Sequence, residues 1–184
     1  MTPGAAPGSA PPDVAALDAL SPDDFVAAIG PLFENAPDYL YRLAATRPFG
    51  SVQRLFERAR EVAHEVPEPV QLELVDAHPR LGAPPASVSA MSFREQGYDV
   101  EAAANLASEA ARERDRVAAE LDRLNREYEA RFGFRYCVFV AGRTRAELLP
   151  EMAAALGHER DSELTRALDA VIDIAAARWS ATHA

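Results

Sequence analysis

The sequence predicts an all-α protein, a single compact domain of about eight helices with a short extended segment near residues 135–141. Three observations carry that expectation. From Ser21 on, apolar residues recur at three- and four-residue spacing through nearly every segment. Serine, threonine and proline stand at the start of these runs, where helix-start chemistry favours them. A single short run, Tyr136-Cys137-Val138-Phe139-Val140, is instead apolar and β-prone, and its composition suits a buried extended stretch or a buried helix turn. The 184 residues, 48% of them hydrophobic, suffice for one substantial core.

Residues 1–15, MTPGAAPGSAPPDVA, hold four prolines among small residues and are expected to form a flexible tail, leaving 16–184 as the folded domain. Ser21-Pro22-Asp23-Asp24 places a cap, a proline and two acids in a first turn. Pro37 opens the next helix. Ser51 caps a third, with Val52, Leu55, Phe56, Ala59, Val62 and Ala63 on one face. Pro67 and Pro69 end it and open VQLELVDAH, which Pro79 closes by disfavouring helical backbone at the residue before it. PRLGAPPASVSAM, from Pro79 to Met91, is a loop by composition. Leu106, Ala110, Val117, Leu121, Leu124 and Tyr128 then mark one long helix that stops at Gly133. Thr144-Arg145-Ala146-Glu147 is a capping box, followed by Pro150, which predicts a kink. Asp161 or Ser162 starts the last helix, with Leu164, Leu168, Val171 and Ala175 on its inner face.

MSFREQGYD, residues 91–99, admits two readings. Ser92-Phe93-Arg94-Glu95 fits a capping box, yet Gly97 interrupts the helix it would start. The alternative is polar chemistry held at a helix end, and the expectation is a cap geometry put to use as a substrate site.

Composition excludes several function classes. A net charge of -10 argues against nucleic-acid and anionic-membrane partners, which need a basic footprint. The single Cys137 excludes an intrachain disulfide framework and suits a reducing, cytoplasmic setting. No apolar run is long enough to span a membrane. All 19 basic residues are arginine, so no lysine is present to form a Schiff base.

Few residues stand out for chemistry. Val70, Leu74 and His78 share a helical face, which puts an imidazole on an apolar stripe at a helix C-terminus, as a dipole partner or as an acid–base group. Arg178 continues the stripe of the last helix, where it either snorkels to solvent or pairs with an anion. Asn125, beside Leu124, reads as a surface or hydrogen-bonded residue. His64, His158 and His183 lack the spacing of a metal site, and Cys137 in an apolar run reads as packing.

Taken in order, RPF (47–49), AHPRLG (77–82), SFREQ (92–96), LNREYEARFGFRY (124–136) and the helix ending at Arg178 resemble the OHCU decarboxylase family over about residues 20–180. The resemblance implies cofactor-free, metal-free decarboxylation of 2-oxo-4-hydroxy-4-carboxy-5-ureidoimidazoline to (S)-allantoin, the last step from urate to allantoin, by a cytoplasmic enzyme that is commonly a homodimer. It implies His78 as the central catalytic group with Pro79 beside it and Glu95 as its partner. Ser92, Gln96, Arg178 and the backbone of Cys137, Val138 and Phe139 would contact substrate. Arg135 stands where a proline is frequent in the family, and Pro150 interrupts a helix usually free of it. A second reading is a helical pseudoenzyme or binding module with an altered ureide or heterocycle ligand. It predicts a broken polar set, whereas the matched positions are intact.

Overall fold

A computed structural model describes residues 12–98 and 108–183. Among them the regular elements are all helical, as the periodicity predicts: α1 (Val14–Ala19), α2 (Pro22–Ile29), α3 (Pro37–Ala44), α4 (Val52–Glu65), α5 (Glu68–Asp76), α6 (Ala90–Glu95), α7 (Ser108–Phe132), α8 (Arg145–Ala155) and α9 (Arg160–Thr182), with 3₁₀ turns at Gly30–Phe33 and Pro85–Ser87. The chain divides into two compact units, one of residues up to Ala77 and from Leu168 on, the other His78–Ala167.

In the first unit, α3 packs on α2, α4 and α5. Ser21 and Ser51 cap α2 and α4, their hydroxyls accepting from the amides of Asp24 at 3.2 Å and Arg54 at 3.1 Å. Phe25, Leu40, Leu43, Leu55 and Ala59 fill the core, and the buried Tyr39 hydroxyl donates to the Ala59 carbonyl at 2.8 Å. Phe56 meets Trp179 edge-on, and Arg60 bridges Asp169 and Asp173 at 2.6 Å each, which ties α4 to the second half of α9. The RPF motif is structural here. Arg47 donates to the carbonyls of Leu17, Leu20 and Ala44 and stacks over Phe25.

Helix α1 begins inside the stretch assigned to the tail. Asp13 accepts from the Ala16 amide at 2.8 Å, and Val14 and Leu17, one turn apart, are buried. That burial outweighs the neighbouring prolines; residues 1–11 of the expected tail lie outside the described residues.

In the second unit, α7 packs on α8. Tyr128 gathers Phe132, Phe134 and Tyr136 at centroid distances of 4.5, 5.7 and 5.2 Å, so the FGF turn after α7 folds back onto its own helix. The Thr144 capping box forms as expected, and α8 runs through Pro150. Residues 135–140 have no regular structure, and the turn at Ala141-Gly142 follows with both residues at positive φ. No helix among the described residues is long and apolar enough to cross a membrane.

Candidate active site

Helix α5 ends at Asp76, earlier than its sequence pattern suggests, because Pro79 offers no amide and pushes His78 out of helical backbone. His78 is therefore a bend residue beyond the helix, buried to 4% exposure, and its carbonyl accepts from Arg135 Nη1 at 3.0 Å. It opens the second unit.

The loop after His78 is held at successive residues. Gln96 spans it with both ends of its amide: Oε1 accepts from the Gly82 amide at 2.8 Å, and Nε2 donates to the Arg80 carbonyl at 3.3 Å. Asn125 Nδ2 donates to the Leu81 carbonyl at 2.9 Å, and the Tyr98 hydroxyl donates to the Ala83 carbonyl at 2.5 Å. The Arg80 guanidinium pairs with Glu129 on α7. Gly82 has φ +80°, and a Cβ there would lie 2.9 Å from Leu121 Cδ1, so both conformation and space demand glycine.

The SFREQ stretch is not a helix start. Ser89 caps α6, its hydroxyl accepting from the Ser92 amide at 3.2 Å, which leaves Ser92 buried in the first turn and Glu95 as the last helical residue. Gln96 is the C-cap, and Gly97, at φ +75°, ends the helix with its amide on the Arg94 carbonyl at 3.0 Å. The capping-box reading is corrected: Ser89 and Ser92 are both chemically suitable caps, and burial decides between them. Ser92 lies inside α6, and Glu95 and Gln96 form its C-terminal end, with Gln96 on the His78 loop. A recess of about 120 Å³ joins Glu95 to Phe139, Val140, Ala141 and Gly142.

The irregular segment Cys137–Val140 has three of its carbonyls bonded by arginine side chains. Arg166 Nη1 donates to the Cys137 carbonyl at 2.8 Å, and Arg143 donates to the Phe139 carbonyl at 2.6 Å and the Val140 carbonyl at 3.1 Å. Arg166 rests on Glu163, a carboxylate only 1% exposed that also accepts from the Tyr128 hydroxyl at 2.7 Å and is 2.6 Å from His158 Nδ1. Burial alone would raise the Glu163 pKa, but hydrogen bonds from Arg166, Tyr128 and His158 outweigh it and hold the carboxyl below its ordinary value. The Tyr128 hydroxyl is pushed up, first by burial and then by Glu163.

Arg178 lies in the first unit, on the predicted stripe of α9. It is 4% exposed and so does not snorkel. Its guanidinium pairs with Glu34 at 2.9 Å and donates to the carbonyls of Pro31 and Leu32. The remaining sequence-selected residues fall together in the second unit. Sequence reasoning missed the supporting roles of Tyr98, Arg135, Arg143, Glu163 and Arg166. Asn125, read as a surface or hydrogen-bonded residue, is the buried, hydrogen-bonded one: it lies four residues from Leu121 and three from Tyr128, on the buried face of α7.

Among the described residues the regular structure is all helical, and one unit holds a buried histidine, a helix-end carboxylate and an arginine-bonded irregular backbone, residue types from which an acid–base enzyme site is built. The OHCU decarboxylase family model matches residues 18–180, and the chain belongs to that family. The 2-oxo-4-hydroxy-4-carboxy-5-ureidoimidazoline decarboxylase of Haloferax volcanii is 27% identical over 162 residues, covering 88% of this chain and 90% of that one. The uric acid degradation bifunctional protein PucL of Bacillus subtilis is 30% identical over 86% of this chain and 30% of its own length. In fold, the chain is similar to a crystal structure of OHCU decarboxylase in the presence of (S)-allantoin, with TM-score 0.61, 20% identity and coverage of 84% of this chain and 96% of that chain.

Proposed function

We infer that this protein decarboxylates 2-oxo-4-hydroxy-4-carboxy-5-ureidoimidazoline to (S)-allantoin in urate degradation. The observation that carries the reading is the family match across residues 18–180 with His78, Ser92 and Glu95 intact. The substrate supplies its own electron sink. When the bond to the carboxylate breaks, its electron pair forms a carbon–carbon double bond with the neighbouring ring carbon, and the imine nitrogen takes up a proton. The enol-like intermediate then gains a proton at the ureido-bearing carbon and loses its hydroxyl proton to become the ring carbonyl. The protein must anchor the substrate, move those protons and deliver one to a single face.

His78 is the acid–base group, held by its carbonyl on a loop with little freedom. Glu95, which lines the recess, is the charge partner and orienter of His78 in this reading, and Ser92 reads a polar group of the substrate. The backbone of Cys137, Val138 and Phe139 forms the opposite wall, with Pro79 beside the histidine. Gln96 acts here through the loop it spans. Arg178 as anchor for an anionic group rests on the motif match alone. A cytoplasmic homodimer belongs to the same reading, and sedimentation of the purified protein checks the dimer.

The test is to generate the unstable substrate from urate in situ and follow the circular dichroism of (S)-allantoin on adding the protein. A racemic product accumulating at the spontaneous rate would refute the reading. Catalysis is expected to need no metal, since the ring imine accepts the electrons, so chelator-dialysed protein should keep full activity; recovery only on adding a divalent ion contradicts this. Glu95→Gln keeps the shape and the helix end but deletes the charge, and the rate should fall about 100-fold with the melting temperature unchanged. An active, well-folded variant would remove Glu95 from the chemistry.

A further inference from the structure

The parts of this site that are not helical have backbone carbonyls that no helix or strand ladder satisfies, and buried carbonyls need partners. Arginine side chains bond several of them: Arg135 bonds His78, Arg166 bonds Cys137, and Arg143 bonds the more exposed Phe139 and also Val140, whose carbonyl accepts the Arg143 amide as well, at 3.0 Å in the local turn. We propose that Arg135 and Arg143 are positioning residues for the decarboxylation, Arg135 fixing the catalytic histidine through its carbonyl and Arg143 fixing the backbone wall of the substrate recess. The proposal rests on the decarboxylase reading above.

Geometry distinguishes these two contacts from ordinary surface ion pairs. Arg143 reaches the carbonyls of Phe139 and Val140 with its Nη2 and Nε while its Nη1 meets Glu151 at 2.6 Å. Phe139 and Val140 both line the recess with Glu95, and Ala141, next in line, has the left-handed φ of +51°. A non-glycine residue in that conformation needs support, and Arg143 supplies it twice, with its amide on the Val140 carbonyl at 3.0 Å and its guanidinium on the carbonyls of Phe139 and Val140. The Glu151 pair itself is exposed, so its contribution to stability is small. Arg135 acts at shorter range. It comes from the first residue after Phe134, on the turn folded onto α7, and bonds the carbonyl of the histidine itself. That carbonyl precedes Pro79, which has no amide with which to join a local turn. A displacement of about 1 Å at a reacting group costs on the order of 100-fold in rate. A guanidinium that fixes the backbone of that group therefore acts on turnover more than on folding.

The two arginines act on different walls, so their losses should separate kinetically. Arg135→Met is expected to lower kcat about tenfold or more with KM within about twofold, because the histidine works in the transition state. Arg143→Met is expected to raise KM about tenfold with a smaller change in kcat, because the wall binds substrate before and during reaction. Lysine keeps the charge but gathers its donors on one nitrogen, so it cannot reproduce the spread fork with which a guanidinium reaches two carbonyls. Arg135→Lys, with one carbonyl to hold, should recover most of the lost rate, whereas Arg143→Lys, with two, should recover less. Arg126→Met removes a comparable ion pair, with Asp122 on α7, and is expected to match wild type. Melting temperatures of all five variants are measured alongside. Wild-type protein inactive in this assay would refute the decarboxylase reading. Active wild type with both methionine variants within twofold in kcat and KM would overturn the positioning proposal alone. So would losses that track melting temperature, or lysine variants no better than methionine. Should a methionine variant fail to fold, the corresponding lysine variant decides by the same kcat and KM criteria.

Discussion

His78→Asn is expected to lower kcat/KM by about 100- to 10,000-fold, the range an acid–base group contributes, while leaving the protein folded. Asparagine suits the position. It is polar, smaller than the imidazole and tolerant of non-helical backbone, and the contact to Arg135 is made by the main-chain carbonyl, which any residue supplies. The residue is buried, so its replacement leaves some unfilled volume at a cost of about 1 kcal/mol, or a few degrees in melting temperature for a chain of this size. Turnover near the wild-type rate would make His78 a packing residue and return the catalytic role to another group.

Glu163→Gln should give the largest loss of stability, about 3 kcal/mol at neutral pH. The carboxylate accepts from Tyr128 and Arg166 and pairs with His158, and the amide keeps its volume but replaces one acceptor oxygen with an NH₂ and removes the charge facing Arg166. The melting temperature should fall by roughly 6–12 °C. The pH dependence follows from the sign of the shift. Glu163 is held below its ordinary value in the folded state, so its contribution is present above the unfolded carboxyl value of about 4.3 and is lost as pH falls through the folded value. The gap between wild type and variant in urea unfolding should therefore be wide at pH 7 and narrow below about pH 4. Equal stabilities at pH 7 would mean the cluster contributes nothing net.

Helix starts were legible because caps are local. Ser21, Ser51 and Thr144 each need only a donor three residues on, and the chain supplies it. The same rule misassigned Ser92, because two serines three residues apart both satisfy it and only tertiary burial selects Ser89. The end of α5 was legible from Pro79, which disfavours helical backbone at His78, although the apolar periodicity alone runs on to that residue. The site's recognisable residues were readable as motifs, and most meet in one unit. Their support was not. Arg135, Arg143 and Arg166 look in sequence like the solvated face of an arginine-rich protein, and nothing in their spacing tells which carbonyl each will meet.

Those arginine and amide contacts join residues far apart in the chain: Asn125 reaches back 44 residues to Leu81, Arg135 57 to His78, and Arg166 29 to Cys137. Each closes a long loop, and the entropy of closure is spent before the contact returns anything. The loop after His78 has only its local Arg80–Ala83 turn to adopt early in folding, and these longer-range contacts form only when α7 and the turn after it are in place. A chain that has formed its individual helices still has no site. In hydrogen exchange, the Gly82 amide, bonded to the Gln96 side chain, would open with the whole unit and not with the loop alone.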